Sequence, residues 1–193
     1  MDFVRSYIWN IIKIRSDCYF YISTKRPERI KQCLPKDWGE GWDNVDISCT
    51  AETQSLIEER LPIYLNIPLK KYKVLVAPLT EEVNLEKFLQ LNKINSVSTQ
   101  GEYCINDTPQ ICAIRSCNYK WVKKISDQCK KYNVDFAFAL TGNYWINEEG
   151  KEEFLSPYGW DMVKKAESYN LSSTNMLNLP SARTSFTFVN KEE

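Results

Sequence analysis

The chain has no histidine among its 193 residues, and this absence removes several kinds of active site. A serine or cysteine nucleophile activated by an imidazole base cannot be built, nor can a zinc hydrolase site with the usual imidazole ligands. Any general acid or base must therefore be aspartate, glutamate, lysine, tyrosine or cysteine.

An excess of charge is also lacking, because 25 lysines and arginines balance 25 aspartates and glutamates. A neutral chain has no general attraction to nucleic acid, so a nucleic-acid partner is not indicated. No stretch approaches the roughly 20 apolar residues of a membrane span, and we expect no membrane contact. Hydrophobic residues make up 43% of the chain, which is enough to bury a core.

Seven cysteines are present, and we see no signal peptide before them. We therefore expect a cytoplasmic, reducing location with mostly free thiols. The candidates for a metal site are Cys104, Cys112, Cys117 and Cys129. Their spacings fit neither paired zinc knuckles nor a known iron–sulfur run, so we favour free thiols and predict no metal site.

Strand and helix patterns alternate along the first 145 residues. The predicted strands are residues 18–22, 44–49, 72–77, 94–98 and 134–140, and the predicted helices are residues 3–15, 27–34, 52–66, 84–91 and 121–132. Such alternation indicates βαβ units and parallel strands. The predicted fold class is α/β: a partial (β/α) barrel or an open, mainly parallel sheet of about five βα units.

The last 48 residues (146–193) have a different pattern, and we interpret them as a C-terminal extension that packs on or beside a domain of residues 1–145. Residues 148–153 are predicted to form a charged turn, 157–169 a helix and 185–189 a late strand.

Polar residues follow several of the predicted strands. Right-handed crossovers place the carboxyl ends of parallel strands at one edge of the sheet, where ligands bind in such folds. The candidate ligand-binding residues at this edge are Lys25, Arg26, Glu52, Gln54 and Glu102. No catalytic residue is identified among them.

Two of these positions have simpler explanations as well. Lys25 and Arg26 could contact an anion at the start of the proline-led helix, or could form an ordinary surface turn. Thr50 could cap the next helix, and the carboxylate of Glu52 in its first turn could interact favourably with the helix dipole. Capping does not account for Gln54, which keeps a ligand role open for it.

One passage resembles a known family. Residues 23–30 read Ser-Thr-Lys-Arg-Pro-Glu-Arg-Ile, Leu34-Pro35 follows, and residues 37–45 read Asp-Trp-Gly-Glu-Gly-Trp-Asp-Asn-Val. Together with Glu52 and Gln54, this passage closely resembles the phage gene-product 37/68 family of radical-SAM-like proteins. The resemblance covers roughly residues 3–145. It implies a barrel-like fold, with S-adenosylmethionine and an iron–sulfur cluster as cofactors.

The departures from that family concern its cofactor. The family begins with a CxxxCxxC cluster motif and two front strands, and this chain has no counterpart for either. Where the family has SCEPL, this chain has Val76-Ala77-Pro78-Leu79, so the glutamate is lost. The ligands of the cluster are thus absent, and we expect no cofactor.

These observations favour a degenerate or truncated radical-SAM-like protein without catalytic activity alone. One alternative is an interaction protein or split-enzyme subunit that pairs through an open sheet edge. It would pair with a second copy as a homodimer, or with a partner chain that supplies the missing strands. A second alternative is a cluster-free enzyme for a small molecule, which would use Lys25, Glu52, Gln54, Glu102 and Tyr103.

Overall fold

A five-stranded parallel sheet forms the centre of the computed structural model, which describes residues 2–104, 113–156 and 160–173. Its strands follow one another in space as they do in the chain: β1 (Phe20–Thr24), β2 (Val45–Thr50), β3 (Tyr72–Val76), β4 (Ile94–Thr99) and β6 (Asp135–Phe138). All four neighbouring pairs are parallel. The sheet does not close into a barrel within the described ranges, and the predicted open α/β fold is confirmed.

Helices separate most of these strands. They are α1 (Asp2–Ile14), a 3₁₀ turn (Pro27–Arg29) that continues into α2 (Ile30–Cys33), α3 (Gln54–Tyr64), α4 (Glu86–Leu89) and α5 (Tyr119–Lys131). Sequential parallel strands with right-handed crossovers carry their connecting helices on one face of the sheet. We call this face the helix-covered face and the opposite one the concave face.

The start of α3 differs from the prediction. Thr50 does not cap this helix, because it is the last residue of β2 and pairs in register with Leu75. Thr53 is the cap instead, and its hydroxyl oxygen accepts a hydrogen bond from the Leu56 N–H at 3.4 Å. Glu52 therefore precedes the helix and does not lie in its first turn.

The helix-covered face of the sheet holds the main core. Its side chains come from every second strand position and are almost completely buried, among them Ile47, Cys49, Val74, Val76, Val97 and Phe136. Parallel sheets need such a covering layer, and the amphipathic helix α5 adds Val122, Ile125 and Cys129 to it.

A small second sheet lies beyond the main one. Its strands are β5 (Cys117–Asn118), β7 (Tyr144–Ile146) and β8 (Glu152–Phe154), and α6 (Asp161–Ser168) follows. The predicted charged turn at 148–153 is wrong at its end, because residues 152–154 pair antiparallel with β7. The predicted strand at 185–189 lies outside the described residues, and the division at residue 145 stays a prediction.

The second sheet packs against the end of the first. Trp145 is fully buried, its ring centre lies 5.4 Å from that of Phe138, and its indole N–H donates to the hydroxyl of Tyr169 at 3.0 Å. The backbone of Ser173 also donates to the carbonyl of Phe136 at 2.9 Å. None of the described helices has the length and apolar character that crossing a membrane requires.

The other end of the sheet is less enclosed. Strand β1 pairs with β2 on one side, and no described strand pairs on its other side. Helix α1, which leads into β1, leaves most of its apolar side chains exposed: Phe3, Val4, Tyr7, Ile8, Ile11 and Ile14. Trp9 and Ile12 anchor it, since the Trp9 indole N–H donates to the carbonyl of Cys33 at 2.8 Å and Ile12 is buried.

Candidate functional site

Glu52 is the centre of a charged cluster at the carboxyl ends of β1 and β2. Its side chain is only 13% exposed, and each of its two oxygens faces a cation. The ammonium of Lys25 forms an ion pair with Oε1, and Nη1 of Arg60 lies 3.0 Å from Oε2. Arg60 also donates to the carbonyl of Thr50 at 2.7 Å. The structure thus brings together two of the predicted residues, Lys25 and Glu52.

The electrostatics of this cluster favour an ionised carboxylate. Burial opposes the ionisation of Glu52, but the hydrogen bond from Lys25 and the charges of Lys25 and Arg60 outweigh it, so the pKa of Glu52 is lowered from its ordinary value. Because the ammonium of Lys25 is engaged by Glu52, it is not a spare cation for an external anion. Glu52 instead ties the ends of β1 and β2 to helix α3.

Glu102 forms a second ion pair at the same edge, after β4. Its carboxylate accepts from Arg115 at 2.9 Å and 3.0 Å through the guanidinium and at 3.0 Å through the backbone N–H. This hydrogen bonding from Arg115 lowers the pKa of Glu102, although burial opposes the shift. Such a bidentate pair orders the segment from residue 113 onward against the sheet edge.

Gly101 holds this segment close to the end of β6. Its N–H donates to the carbonyl of Leu140 at 2.9 Å, and a Cβ at this position would lie 2.0 Å from the carbonyl oxygen of Thr141. Only glycine fits such an approach. The turn at Gly101 therefore lies at the same strand-end edge as Lys25 and Glu52, as the sequence predicts.

The two remaining candidate residues, Gln54 and Arg26, are not part of either ion pair. The side-chain amide of Gln54 accepts from the backbone N–H of Asn84 at 2.7 Å and donates to its carbonyl at 3.3 Å, so it fastens the loop before α4. Arg26 is exposed and lines an apolar groove beside Trp9 and Ile30. A ligand role for either residue stays a prediction, as it does for Tyr103, which is 43% exposed.

The described cysteines do not suit an iron–sulfur cluster. Burial raises the thiol pKa of Cys49, Cys117 and Cys129 to about 12, which disfavours the thiolate that binds metal. In residues 2–104, 113–156 and 160–173, no group of three histidine, cysteine, aspartate or glutamate side chains could hold a metal ion. Five cysteines are free, but Cys104 is disulfide-bonded, which corrects the expectation of free thiols at that position.

The concave face carries a second polar region, which the sequence reasoning missed. One row of side chains crosses all five strands in register: Ser23, Ser48, Lys73, Ser96 and Asp135. The row lies in a groove of about 420 Å³. Each of these residues alternates with a more deeply buried apolar neighbour along its strand. That period of two was visible in residues 45–50 and could have revealed the face.

Asp46 and Lys73 form the most enclosed part of this face. Asp46 is 4% exposed, and the ammonium of Lys73 forms an ion pair with its Oδ2. The same ammonium lies 5.0 Å from the ring centre of Tyr21. Burial, and then the charge of Asp46, raises the pKa of Tyr21, so this phenol stays protonated and keeps its donor.

Comparison with known proteins identifies a family and no further relative. A family model described as a protein of unknown function, DUF5131, matches residues 2–180, which is most of the chain. No curated protein and no solved structure matches the sequence.

Proposed function

The chain belongs to the DUF5131 family of proteins of unknown function, and we propose that it is a radical-SAM-like half-barrel that is catalytically silent alone and works by pairing through the β1 edge. The observation that carries this proposal is the side of β1 on which no described strand pairs, together with the exposed apolar stripe of α1. An open strand edge offers unpaired N–H and C=O groups, and a contiguous apolar patch marks an interaction surface.

The position of α1 favours one kind of partner. A helix that leads into a parallel strand packs across that strand and the strand before it in space. Helix α1 leads into β1. Its anchor Trp9 lines a groove with Ile22 of β1 and Ile47 of β2, and the carbonyl of Ile12 accepts from the side-chain amide of Asn44, just before β2, at 3.0 Å. We infer that its exposed stripe faces the place where one further parallel strand would lie. The fitting occupant is a polypeptide segment with a parallel strand and its own helix, as the front part of the resembled family would supply.

The pairing experiment uses the two front βα units of a phage gene-product 37/68 protein as the probe, co-expressed as a separate polypeptide. We expect a 1:1 complex by light scattering after size exclusion. Ile8→Lys with Ile11→Lys should weaken the complex at least tenfold, because both side chains lie on the exposed stripe. Leu91→Lys, an exposed apolar position away from α1, is the matched control. A strictly monomeric chain with no complex contradicts the proposal, and a homodimer would replace the partner segment with a second copy.

A separate experiment tests the proposal that the isolated chain has no catalytic activity. After anaerobic reconstitution with iron and sulfide, the isolated chain should show no iron–sulfur absorbance and no reductive cleavage of S-adenosylmethionine. The buried thiols of Cys49, Cys117 and Cys129 support this expectation. Appearance of either signal in the isolated chain refutes it. Free thiols at five described positions also favour the cytoplasmic location that we infer.

The Glu52 cluster favours a second candidate function, a cluster-free enzyme or binding protein for a small molecule at the strand-end edge. A poorly exposed carboxylate held between Lys25 and Arg60 is the kind of perturbed group that occurs at functional sites. In that case Lys25→Ala and Glu52→Ala should abolish stabilisation by a ligand in a thermal-shift screen. A ligand that stabilises both variants as well as the parent chain would exclude this edge as its site.

A further inference from the structure

The concave face of the sheet is polar where a parallel sheet is normally apolar. Parallel strands are usually covered on both faces and read as continuous hydrophobic runs. Most residues that line the groove carry a hydroxyl, an amide or a charge. The exceptions are Leu75, Ala137 and two residues of the helix-covered face, Val97 and Phe136. An apolar covering layer would leave these groups without partners, at a cost for each buried one. The face is therefore suited to a polar ligand and not to another hydrophobic layer.

Some polar groups of the groove are already used by the fold. The hydroxyls of Ser23 and Ser48 lie 3.0 Å apart, and Ser48 also donates to the carbonyl of Ile22 at 3.3 Å. The hydroxyls of Ser96 and Ser98 and the carboxylate of Asp135 make no hydrogen bond or ion pair with the described residues. These three groups lie on neighbouring strands of the same groove. They leave donors and acceptors available to a ligand.

The charges of the groove indicate a neutral ligand. Lys71 and Lys73 balance Asp46 and Asp135, and Lys73 is already paired with Asp46. A phosphorylated ligand would face two carboxylates, whereas hydroxyl groups can donate to the carboxylates and accept from the ammonium groups. Hydrogen bonds with an ionised partner are roughly twice as strong as neutral ones.

The length of the groove and the aromatic side chain at its β1 end limit the class of ligand further. From β1 to β6 the sheet spans four strand spacings, about 19 Å at 4.7–4.9 Å each. Tyr21 lies at the β1 end, is 36% exposed, and packs against Tyr19 with ring centres 4.8 Å apart. An exposed ring of this kind can pack on the apolar face of a ligand while its hydroxyl stays hydrated.

We propose that the concave groove binds a neutral carbohydrate of one to two sugar rings, with Ser96, Ser98, Asp135 and the Asp46–Lys73 pair as its polar contacts and Tyr21 as its apolar contact. Ser96 and Asp135 are paired in register on neighbouring strands, so adjacent hydroxyls of one sugar ring can reach both side chains. This site lies on the face of the sheet and not at the strand-end edge of Glu52. It also does not depend on pairing at β1.

The test is titration calorimetry of the full chain with maltose, cellobiose and trehalose, and with glucose 6-phosphate as the charged comparison. At least one neutral disaccharide should bind saturably and more tightly than the phosphorylated sugar. Ser96→Ala with Ser98→Ala should weaken that binding at least tenfold. The thermal midpoint should not move, because neither hydroxyl has a partner in the described protein. Ser16→Ala, an exposed serine outside the groove, is the control and should bind as the parent chain does.

Three results would overturn the proposal. The first is the absence of saturable binding by every neutral sugar. The second is binding that the double variant leaves unchanged. The third is equal or tighter binding of the phosphorylated sugar, which would indicate an anion site. A second readout separates a local from a distant effect: amide signals of Ser96, Ser98 and Asp135 should shift on titration, and that of Ser16 should not.

Discussion

The two faces of the central sheet are made from the same five strands, yet they have opposite chemistry. On the helix-covered face Val74, Val76 and Val97 are fully buried. On the concave face their chain neighbours Lys73, Ser96 and Ser98 line a groove. Because side chains alternate along a strand, one sequence can encode a core at every second position and a polar surface at the positions between. Most of the buried apolar surface therefore lies on the first face, whereas the second carries the polar groups.

The largest expected effect on the free energy of unfolding comes from removing a buried side chain on the helix-covered face. Phe138→Ala removes a ring that is 1% exposed and lies against Trp145, so we expect a loss of about 3–5 kcal/mol in the free energy of unfolding. Urea denaturation followed by tryptophan fluorescence measures it. A loss below about 1 kcal/mol would mean that this face is not the core.

The next effect tests the most enclosed part of the concave face. Lys73→Met leaves the carboxylate of Asp46 buried without its cation, and we expect a loss of about 2–3 kcal/mol in unfolding free energy, because Lys73 itself is only partly buried. Adding Asp46→Leu removes the orphaned charge and should recover most of that loss. If the double variant is no more stable than Lys73→Met alone, the ion pair does not exist in solution.

A smaller effect is expected at the strand-end edge. The folded-state pKa of Glu52 is lowered, so its ionised form stabilises the fold above the unfolded pKa, and this contribution is lost as pH falls through the folded pKa. Glu52→Gln should therefore cost about 1–2 kcal/mol at pH 7, because Arg60 loses a charged acceptor. The difference from the parent chain should shrink below about pH 4. A difference that is constant from pH 7 to pH 3 would contradict the ion pairing.

The smallest effect is expected on the open part of the concave face. Ser98→Ala deletes a hydroxyl that has no partner in the described chain, and we expect the free energy of unfolding to stay within about 0.5 kcal/mol. Parallel urea titrations of this variant and Phe138→Ala compare the two faces directly. A loss near that of Phe138→Ala would erase the distinction between them.

The fold and the strand-end edge could be predicted because both follow from alternation along the chain. Parallel strands in chain order bring Lys25, Glu52 and the turn at Gly101 to one edge, and that geometry needs no knowledge of side-chain packing. The Thr50 cap was wrong because strand β2 extends through that residue, and ladder hydrogen bonds outweigh a local capping preference. Such competition between local and tertiary structure cannot be read from residue type.

The concave face and the exposure of α1 were not predicted, for a different reason. The helical spacing of Phe3, Tyr7, Ile8 and Ile11 correctly indicates a helix, but a buried and an exposed apolar stripe have the same spacing. Likewise, the pairing of Asp46 with Lys73 depends on the register between β2 and β3, and the sequence of neither strand specifies that register. In both cases the sequence of one element does not show which surface or strand lies against it.

Thiol accessibility in the native chain tests the opposed faces most directly. Single variants Ser96→Cys, Ser98→Cys and Val97→Cys would be labelled with a maleimide under native conditions and mapped by mass spectrometry. We expect rapid labelling at 96 and 98, and no labelling at 97 or at the buried Cys49 and Cys129 until the chain unfolds. Equal labelling rates at 96, 97 and 98 would contradict the two-faced sheet.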